Sequence, residues 1–301
     1  MTVEALRTED GRFADLPDWP FQPHYLESLP GYEGLRTHYV DEGPPDSPVA
    51  LCLHGEPTWA FLYRRMIPAF LDAGLRVVAP DFLGFGRSDK PVDDTVYTWD
   101  FHRNWLLRFI EALDLATIYL VVQDWGGLLG LTVPVDLPDR IAGLLIMNTS
   151  FGTGATPSRG FVEWRDFVSR KPDLAVGRLM GRSVPHLTAD ERAAYDAPFP
   201  DHSYKAGVRR FPAIVPTDRE MDGVEVSRQA MRWWRDEFGG PSLMAIGMED
   251  PVLGPAVMKR LHPLIRGCPD PVDVEEAGHF VQEWGGPVAE RAVAAWGFEP
   301  A

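Results

Sequence analysis

The sequence predicts an α/β protein: a mostly parallel sheet flanked by helices, with a helical cap inserted into it. Three observations predict this. Short runs of branched apolar residues alternate with stretches of helical periodicity, the pattern of parallel strands joined by crossover helices. That rhythm lapses between Phe151 and Gly223 and then resumes. The chain has 301 residues, 45% hydrophobic and 24% charged, which suits one large globular core carrying an insertion.

In chain order, the first residues, Met1-Thr2-Val3-Glu4-Ala5-Leu6-Arg7, lead into charged and proline-rich sequence. They lack the apolar core of a secretory signal, and no later run is apolar for long enough to span a membrane, so a cytoplasmic protein is expected. A strand pair near His38 to Val40 is expected as an antiparallel edge. Branched apolar runs then predict strands over Val49 to Leu53, Leu75 to Ala79, Ile118 to Gln123, Ile141 to Met147, Leu243 to Ile246 and Val272 to Glu275. Most are followed by apolar residues at three- and four-residue spacing. These predict helices over Trp59 to Leu71, Asp100 to Leu113, Leu128 to Leu137, Val226 to Glu237, Pro255 to Leu264 and Pro287 to Trp296.

Between residues 151 and 223 no strand is convincing, and Gly, Thr, Ser and Pro separate amphipathic stretches that bear aromatics. An insertion at the carboxyl ends of parallel strands lies over the crevice where such folds bind ligands. The expected division is therefore a core of residues 1–150 and 224–301 and a lid of residues 151–223. The lead into that lid, Ser150 to Arg159, is rich in small residues and reads as a mobile entrance.

Composition removes several function classes. The net charge of -15 opposes nucleic acid and anionic membranes as partners, since both need clustered cations. Cys52 within a strand and Cys268 in a Gly-Cys-Pro turn make no disulfide framework, and neither is expected to lie close enough to a histidine to act as a thiol nucleophile. Gly84 and Gly86 belong to Gly-Phe-Gly-Arg-Ser, which lacks the third glycine and the following helix of a dinucleotide site.

The chemistry centres on Asp124, in Val121-Val122-Gln123-Asp124-Trp125-Gly126-Gly127-Leu128. A strand breaking into glycines at that point is a nucleophile elbow, a sharp strand-to-helix turn that lifts one side chain above the sheet. Hydrolases usually place serine there; the first glycine of their motif is Val122 here. A carboxylate is already ionised near neutral pH, needs no base to activate it, and suits displacement at a saturated carbon. As an isolated residue Asp124 could equally be a helix N-cap. Downstream partners argue otherwise. His279 lies just past the strand that begins at Val272, in Glu276-Ala277-Gly278-His279-Phe280, and of the eight histidines it is the best placed at a strand's carboxyl end. Asp250 lies just past the strand that begins at Leu243, in Gly247-Met248-Glu249-Asp250-Pro251. Nucleophile, acid and histidine then follow the chain order of α/β-hydrolase triads. In that fold, backbone N–H groups of the loop after the first parallel strand and of the residue after the nucleophile form an oxyanion hole, which nominates Glu56 and Trp125. His54 is expected to be structural beneath that loop.

Together His54-Gly55-Glu56-Pro57-Thr58-Trp59, Pro80-Asp81-Phe82-Leu83-Gly84-Phe85-Gly86-Arg87-Ser88-Asp89-Lys90-Pro91, the elbow, Gly247-Met248-Glu249-Asp250 and Ala277-Gly278-His279-Phe280-Val281-Gln282-Glu283 resemble the haloalkane dehalogenases over the whole core. The subfamily resembled takes its triad acid from after the later strand; a related one uses a Glu where this chain has Asn148. The resemblance implies the α/β-hydrolase fold and two indole N–H donors for halide, matched by Trp125 and, in the lid, by Trp164 of Gly160-Phe161-Val162-Glu163-Trp164. It implies hydrolysis of haloalkanes to primary alcohol, halide and a proton. Asp124 would attack carbon in line to form an alkyl ester, and water activated by His279, itself oriented by Asp250, would cleave that ester. Halide leaves without a proton, so donor-only indoles suit it. No metal or redox cofactor is needed, and no clustered metal ligands occur. Phe161, Phe211, Pro212 and Phe280 are the candidate apolar pocket residues.

The expected partners are a small halogenated hydrocarbon and halide ion, with the protein a monomer. Three other readings stay in view. Epoxide hydrolases share an Asp nucleophile followed by Trp and Gly, but protonate the leaving oxygen with lid tyrosines, here Tyr195 or Tyr204. A serine esterase is disfavoured because the elbow holds no serine. The last is a non-catalytic small-molecule receptor on this scaffold.

Overall fold

Branched apolar residues form strands wherever both faces of the sheet are covered, because only there can every side chain of such a run be buried. In the computed structural model, which describes residues 3–299, the strands are β1 (Ala5–Leu6), β2 (His24–Leu26), β3 (Thr37–Glu42), β4 (Val49–Leu53), β5 (Arg76–Pro80), β6 (Lys90–Pro91), β7 (Ile118–Val122), β8 (Ile141–Met147), β9 (Ser242–Gly247) and β10 (Val272–Val274). Met1 and Thr2, where the N-terminal expectation begins, and the last two residues of the expected core lie outside the described residues. Eight strands make one sheet in the order β10-β9-β8-β7-β4-β5-β3-β2, while β1 and β6 pair separately. The expected edge is present: β2 and β3 run antiparallel to each other, and β3 runs antiparallel to β5. The other pairs in this sheet are parallel.

The winding reverses at β4, which has β5 on one side and β7 on the other. Such a switch point opens a crevice at the strands' carboxyl ends. Leu53 pairs with Val122, so β4 and β7 end level and the loop that follows β4 stands beside the turn that follows β7.

The helices are α1 (Ile67–Asp72), α2 (Trp99–Ala112), α3 (Asp124–Gly130), α4 (Arg159–Ser169), α5 (Val176–Ser183), α6 (Ala189–Asp196), α7 (Ala206–Ile214), α8 (Val224–Asp236), α9 (Pro255–Leu261) and α10 (Gly285–Ala295). Three depart from the sequence expectation for identifiable reasons. The predicted helix from Trp59 divides into a 3-10 turn (Ala60–Tyr63) and α1, because Pro68 fits only a first helical turn. The helix predicted over Leu128 to Leu137 instead starts at Asp124 and ends at Gly130; a 3-10 turn holding Pro134 follows. Helix α9 stops at Leu261, and Pro263 sits in the 3-10 turn that continues it.

Between β8 and β9, the sixth and seventh strands of the large sheet, the described residues hold helices and no strand. Helix α8 packs on the 3-10 turns Val133–Val135 and His262–Leu264. Ser158 caps α4, and Thr188 with Glu191 forms a capping box on α6.

One buried ion network fastens α6 to the core. Arg64 donates to Glu191 at 2.7 Å and to both carboxylate oxygens of Glu283 at 2.7 and 2.9 Å. The Tyr195 hydroxyl also donates to Glu283. Burial opposes the charge on Glu191, yet hydrogen bonds from Arg64 and the Thr188 N–H, with the charges of Arg64 and Arg65, hold its carboxyl down from 4.5 to about 2. A folded-state pKa below the unfolded one stabilises above the unfolded pKa, and that stabilisation fades as pH falls through the folded value. It amounts to on the order of 3 kcal/mol at neutral pH. Glu191→Gln, which retains a cap acceptor, is expected to lower the unfolding free energy by about that much at pH 7. The gap from wild type should close as pH is lowered from 5 towards 2 in denaturant titrations, and a gap independent of pH would refute the charge assignment.

Candidate active site

Gln123 leaves β7 extended, and the next residue, Asp124, turns sharply with φ at +49°. A non-glycine residue in the left-handed region is strained, and such strain is held by its surroundings. Here they are close. A Cβ at Gly126 would stand 1.9 Å from the Leu53 carbonyl oxygen, so only glycine lets α3 approach β4. The Asp124 N–H donates to the Asn148 carbonyl at 3.0 Å, and the Thr149 hydroxyl donates to the Asp124 carbonyl at 2.7 Å. This lifts the carboxylate above the sheet, where Oδ1 accepts the Glu56 N–H at 2.8 Å. The other oxygen, Oδ2, lies 3.6 Å from His279 Nε2, beyond a good hydrogen bond.

His279 and Asp250 come from the loops after β10 and β9. His279 Nδ1 is 2.9 Å from Asp250 Oδ2. That buried carboxylate also accepts from Asn148 Nδ2 at 2.8 Å and the Val252 N–H at 2.7 Å. Burial alone would raise the Asp250 pKa, but the charge and hydrogen bond of His279 and the other two donors bring it below the ordinary value. The converse holds for His279. Burial disfavours the imidazolium, but the charges of Asp250 and Asp124, with the hydrogen bond to Asp250, raise it to about 10.

The carboxylate of Asp124 and the ring of His279 face a cavity of about 490 Å³ shared with Trp125 and, from α4, Trp164. Trp125 is held from behind by Phe211, ring centroids 4.5 Å apart, and by Trp99 at 5.6 Å. Glu56 also lines the cavity, and its carboxyl is buried. Burial, reinforced by the Asp124 charge and only partly offset by His279 and Trp164, pushes its carboxyl well above the ordinary value. Burial and the neighbouring carboxylate thus both disfavour a second anion beside Asp124. The set can deliver a carboxylate in line to a saturated carbon, receive a leaving anion on indole donors, and supply a base oriented by a buried acid.

Residues 48–286 match the family described as alpha/beta hydrolase fold. Over 98% of this chain and 98% of the relative, the sequence is 41% identical to a haloalkane dehalogenase of Mycolicibacterium paratuberculosis. It is 42% identical to one of Psychrobacter cryohalolentis over 93% of this chain and 94% of that one. The chain belongs to the haloalkane dehalogenases. A solved structure, the tetrameric haloalkane dehalogenase DpaA from Paraglaciecola agarilytica NO2, superposes with a TM-score of 0.96 at 51% identity, covering 98% of this chain and 99% of that one.

As a haloalkane dehalogenase, the chain places most sequence-nominated residues together. Asp124, His279, Glu56, Trp125 and Trp164 line the cavity, as do Phe161, Pro212 and Phe280. Phe211 does not. It is wholly buried among Phe85, His102 and Trp125, because successive residues of α7 point about 100° apart and Pro212 takes the cavity face. His54 is structural: its Nδ1 meets the Gly55 carbonyl at 2.9 Å and its Nε2 accepts the Phe82 N–H at 3.0 Å. Neither Tyr195 nor Tyr204 lines the cavity. The Tyr195 hydroxyl is committed to Glu283 and fully buried, and Tyr204 packs against the core, so neither can protonate an epoxide oxygen there.

Several residues of the site are not marked in the sequence. Leu128, one helical turn after Asp124, lines the cavity and could have been found by its i+4 spacing. Leu179 of α5 and Val252 and Leu253 after Asp250 also line it, and nothing local marks them. Of the stretch expected to be an entrance, Ser150 to Arg159, all but Gly154 and Arg159 line a second cleft of about 210 Å³ that shares Leu128, Ser150, Phe161, Val215 and Leu253 with the first. No helix among the described residues is long and apolar enough to cross a membrane.

Proposed function

We propose that this chain hydrolyses haloalkanes to alcohol, halide and a proton through an alkyl ester on Asp124. One observation carries the reading: the carboxylate of Asp124, the indoles of Trp125 and Trp164 and the base His279 face a single cavity.

In the first step a lone pair of Asp124 Oδ2 attacks the carbon opposite the carbon–halogen bond. The carbon–oxygen bond forms as halide departs with the bonding electrons, received by the two indole N–H groups. Oδ1 becomes the ester carbonyl oxygen, still held by the Glu56 N–H. Alkylation removes the Asp124 negative charge, one of the influences that raise His279. The imidazolium is thereby weakened and releases its proton to solvent. The first step thus prepares the base for the second.

Neutral His279 then takes a proton from water as the water oxygen attacks the Asp124 carboxyl carbon. The oxyanion forms on Oδ1, held by the backbone N–H groups of Glu56 and Trp125. Collapse expels the alkoxide, which takes the proton from His279, and the new carboxyl group returns a proton to His279. The net change is haloalkane plus water to alcohol, halide and one proton. Asp250 keeps the ring oriented and stabilises its positive form.

Residues 151–223 are proposed as the lid, with α4 supplying Trp164 and α7 supplying Pro212. For assembly, the monomer expected from the sequence stands beside a neighbour described as tetrameric, and light scattering after size exclusion distinguishes one copy from four. The reaction is tested by offering the wild type 1-bromobutane and 1,2-dibromoethane, with styrene oxide in parallel. Halide release with styrene oxide untouched is expected. Epoxide opening without halide would replace the assignment, and binding without turnover would favour a receptor.

A further inference from the structure

The backbone of His279 has one hydrogen-bond partner among the described residues: the side chain of Gln123, whose Nε2 donates to the His279 carbonyl at 3.0 Å. Gln123 is wholly buried and is the residue immediately before the nucleophile. Its other amide atom, Oε1, accepts from Gln282 Nε2 at 3.4 Å, and Gln282 is also wholly buried. The carbonyl dictates the amide's orientation, since it can only accept. A Glu at 123 would set a carboxylate against that carbonyl.

We infer that Gln123 is a positioning residue that fixes the separation of His279 from the ester carbon on Asp124. The bond from His279 Nδ1 to Asp250 orients the imidazole ring, and the Glu249 N–H holds the Ala277 carbonyl at 2.9 Å. Gly278 separates that contact from His279, whose own main chain is fixed by no backbone–backbone bond among the described residues, which leaves it a freedom to shift. Gln123 closes that freedom by fastening the base's main chain to the residue that carries the nucleophile. On the other side of His279, Gln282 ties the loop to Gln123, and Glu283 is anchored by Arg64. Asp124 does not depend on this contact. Its main chain is held by Asn148 and Thr149, and its Oδ1 by the Glu56 N–H.

Gln123 should therefore matter to one step and not the other. The inference rests on the two-step reading above. In acid-quenched single-turnover experiments with 1,2-dibromoethane, Gln123→Met is expected to form halide at close to the wild-type rate. Decay of the alkyl-enzyme should slow by about 10- to 100-fold, the scale of a misplaced reacting group, and the adduct should accumulate on intact-protein mass spectra. A purely structural residue would slow both steps or only lower the melting temperature. Equal slowing of both steps, or decay at the wild-type rate, overturns the inference. Should Gln123→Met fail to fold, Gln282→Met, which leaves the elbow intact, is read in the same way, with several-fold slower decay expected. If the wild type forms no halide, the two-step reading fails first and the role of Gln123 falls with it.

Discussion

Asp124→Asn is expected to release no measurable halide from 1-bromobutane, a loss of about 10⁴-fold or more, comparable to removing a nucleophile from other covalent hydrolases. The substitution alters the charge and little else. An amide oxygen can still accept the Glu56 N–H that now lies 2.8 Å from Oδ1, and the cavity keeps its shape, so haloalkane should still bind. What is lost is the anionic lone pair, since a neutral amide is a poor nucleophile towards saturated carbon. The carbon of the introduced amide, however, occupies the place of the ester carbon, within reach of water activated by His279. Slow hydrolysis of that amide would restore the carboxylate, so Asp124→Ala, which leaves no acyl carbon, is the stricter variant. Halide is to be measured at enzyme concentrations high enough to see single turnovers. Activity within 100-fold of wild type in Asp124→Ala would remove Asp124 as the nucleophile.

The proposed nucleophile is legible because it lies at the end of an apolar strand, where the change from Val121-Val122 to Gly126-Gly127 shows in one dimension. The same is true of Asp250 and His279, each just past a strand. Their meeting in space follows from topology, since parallel strands bring their carboxyl ends to one edge. The start of the helix at Asp124 is hidden because its glycines are poor helix formers. They are there for the closeness of α3 to β4, a tertiary demand that propensity does not carry.

The remaining misses have the same origin. Phe211 and Pro212 are adjacent, and only the packing of α7 decides which one faces the cavity. Tyr195 lies in the insertion between β8 and β9 but turns to the Arg64–Glu283 network, whose members are separated by up to 219 residues. The Glu56 backbone position can be read from its loop, but the upward shift of its carboxyl comes from burial and from Asp124. In the sequence Asn148 reads only as a missing acid; the structure makes it a donor to Asp250. Motif and strand position nominate the residues proposed to react, whereas the partners that hold and tune them arise from contacts distant in sequence.

His279→Phe is expected to halt the reaction half-way. Alkylation requires no proton transfer, so the variant should form about one halide per active site and then stop, with the alkyl ester retained as added mass on the intact protein. Asp250 would keep the Asn148 and Val252 donors at 2.8 and 2.7 Å, so the buried carboxylate is not stranded and the fold should survive. Loss of the base is expected to slow ester decay by at least 10²- to 10⁴-fold, the usual contribution of a positioned general base. The wild type supplies the matching pH test. His279 in the free enzyme is raised to about 10 by Asp250 and Asp124, and alkylation removes the Asp124 contribution. Ester decay should therefore rise with pH through a value below 10 as the ring loses its proton, while the alkylation rate should not follow that curve. Continued turnover by His279→Phe would show that another group activates the water. Absence of any adduct would deny the covalent step itself, and the two results lead to different chemistry: the first preserves Asp124 as nucleophile and reassigns only the base, whereas the second requires water to attack the haloalkane directly.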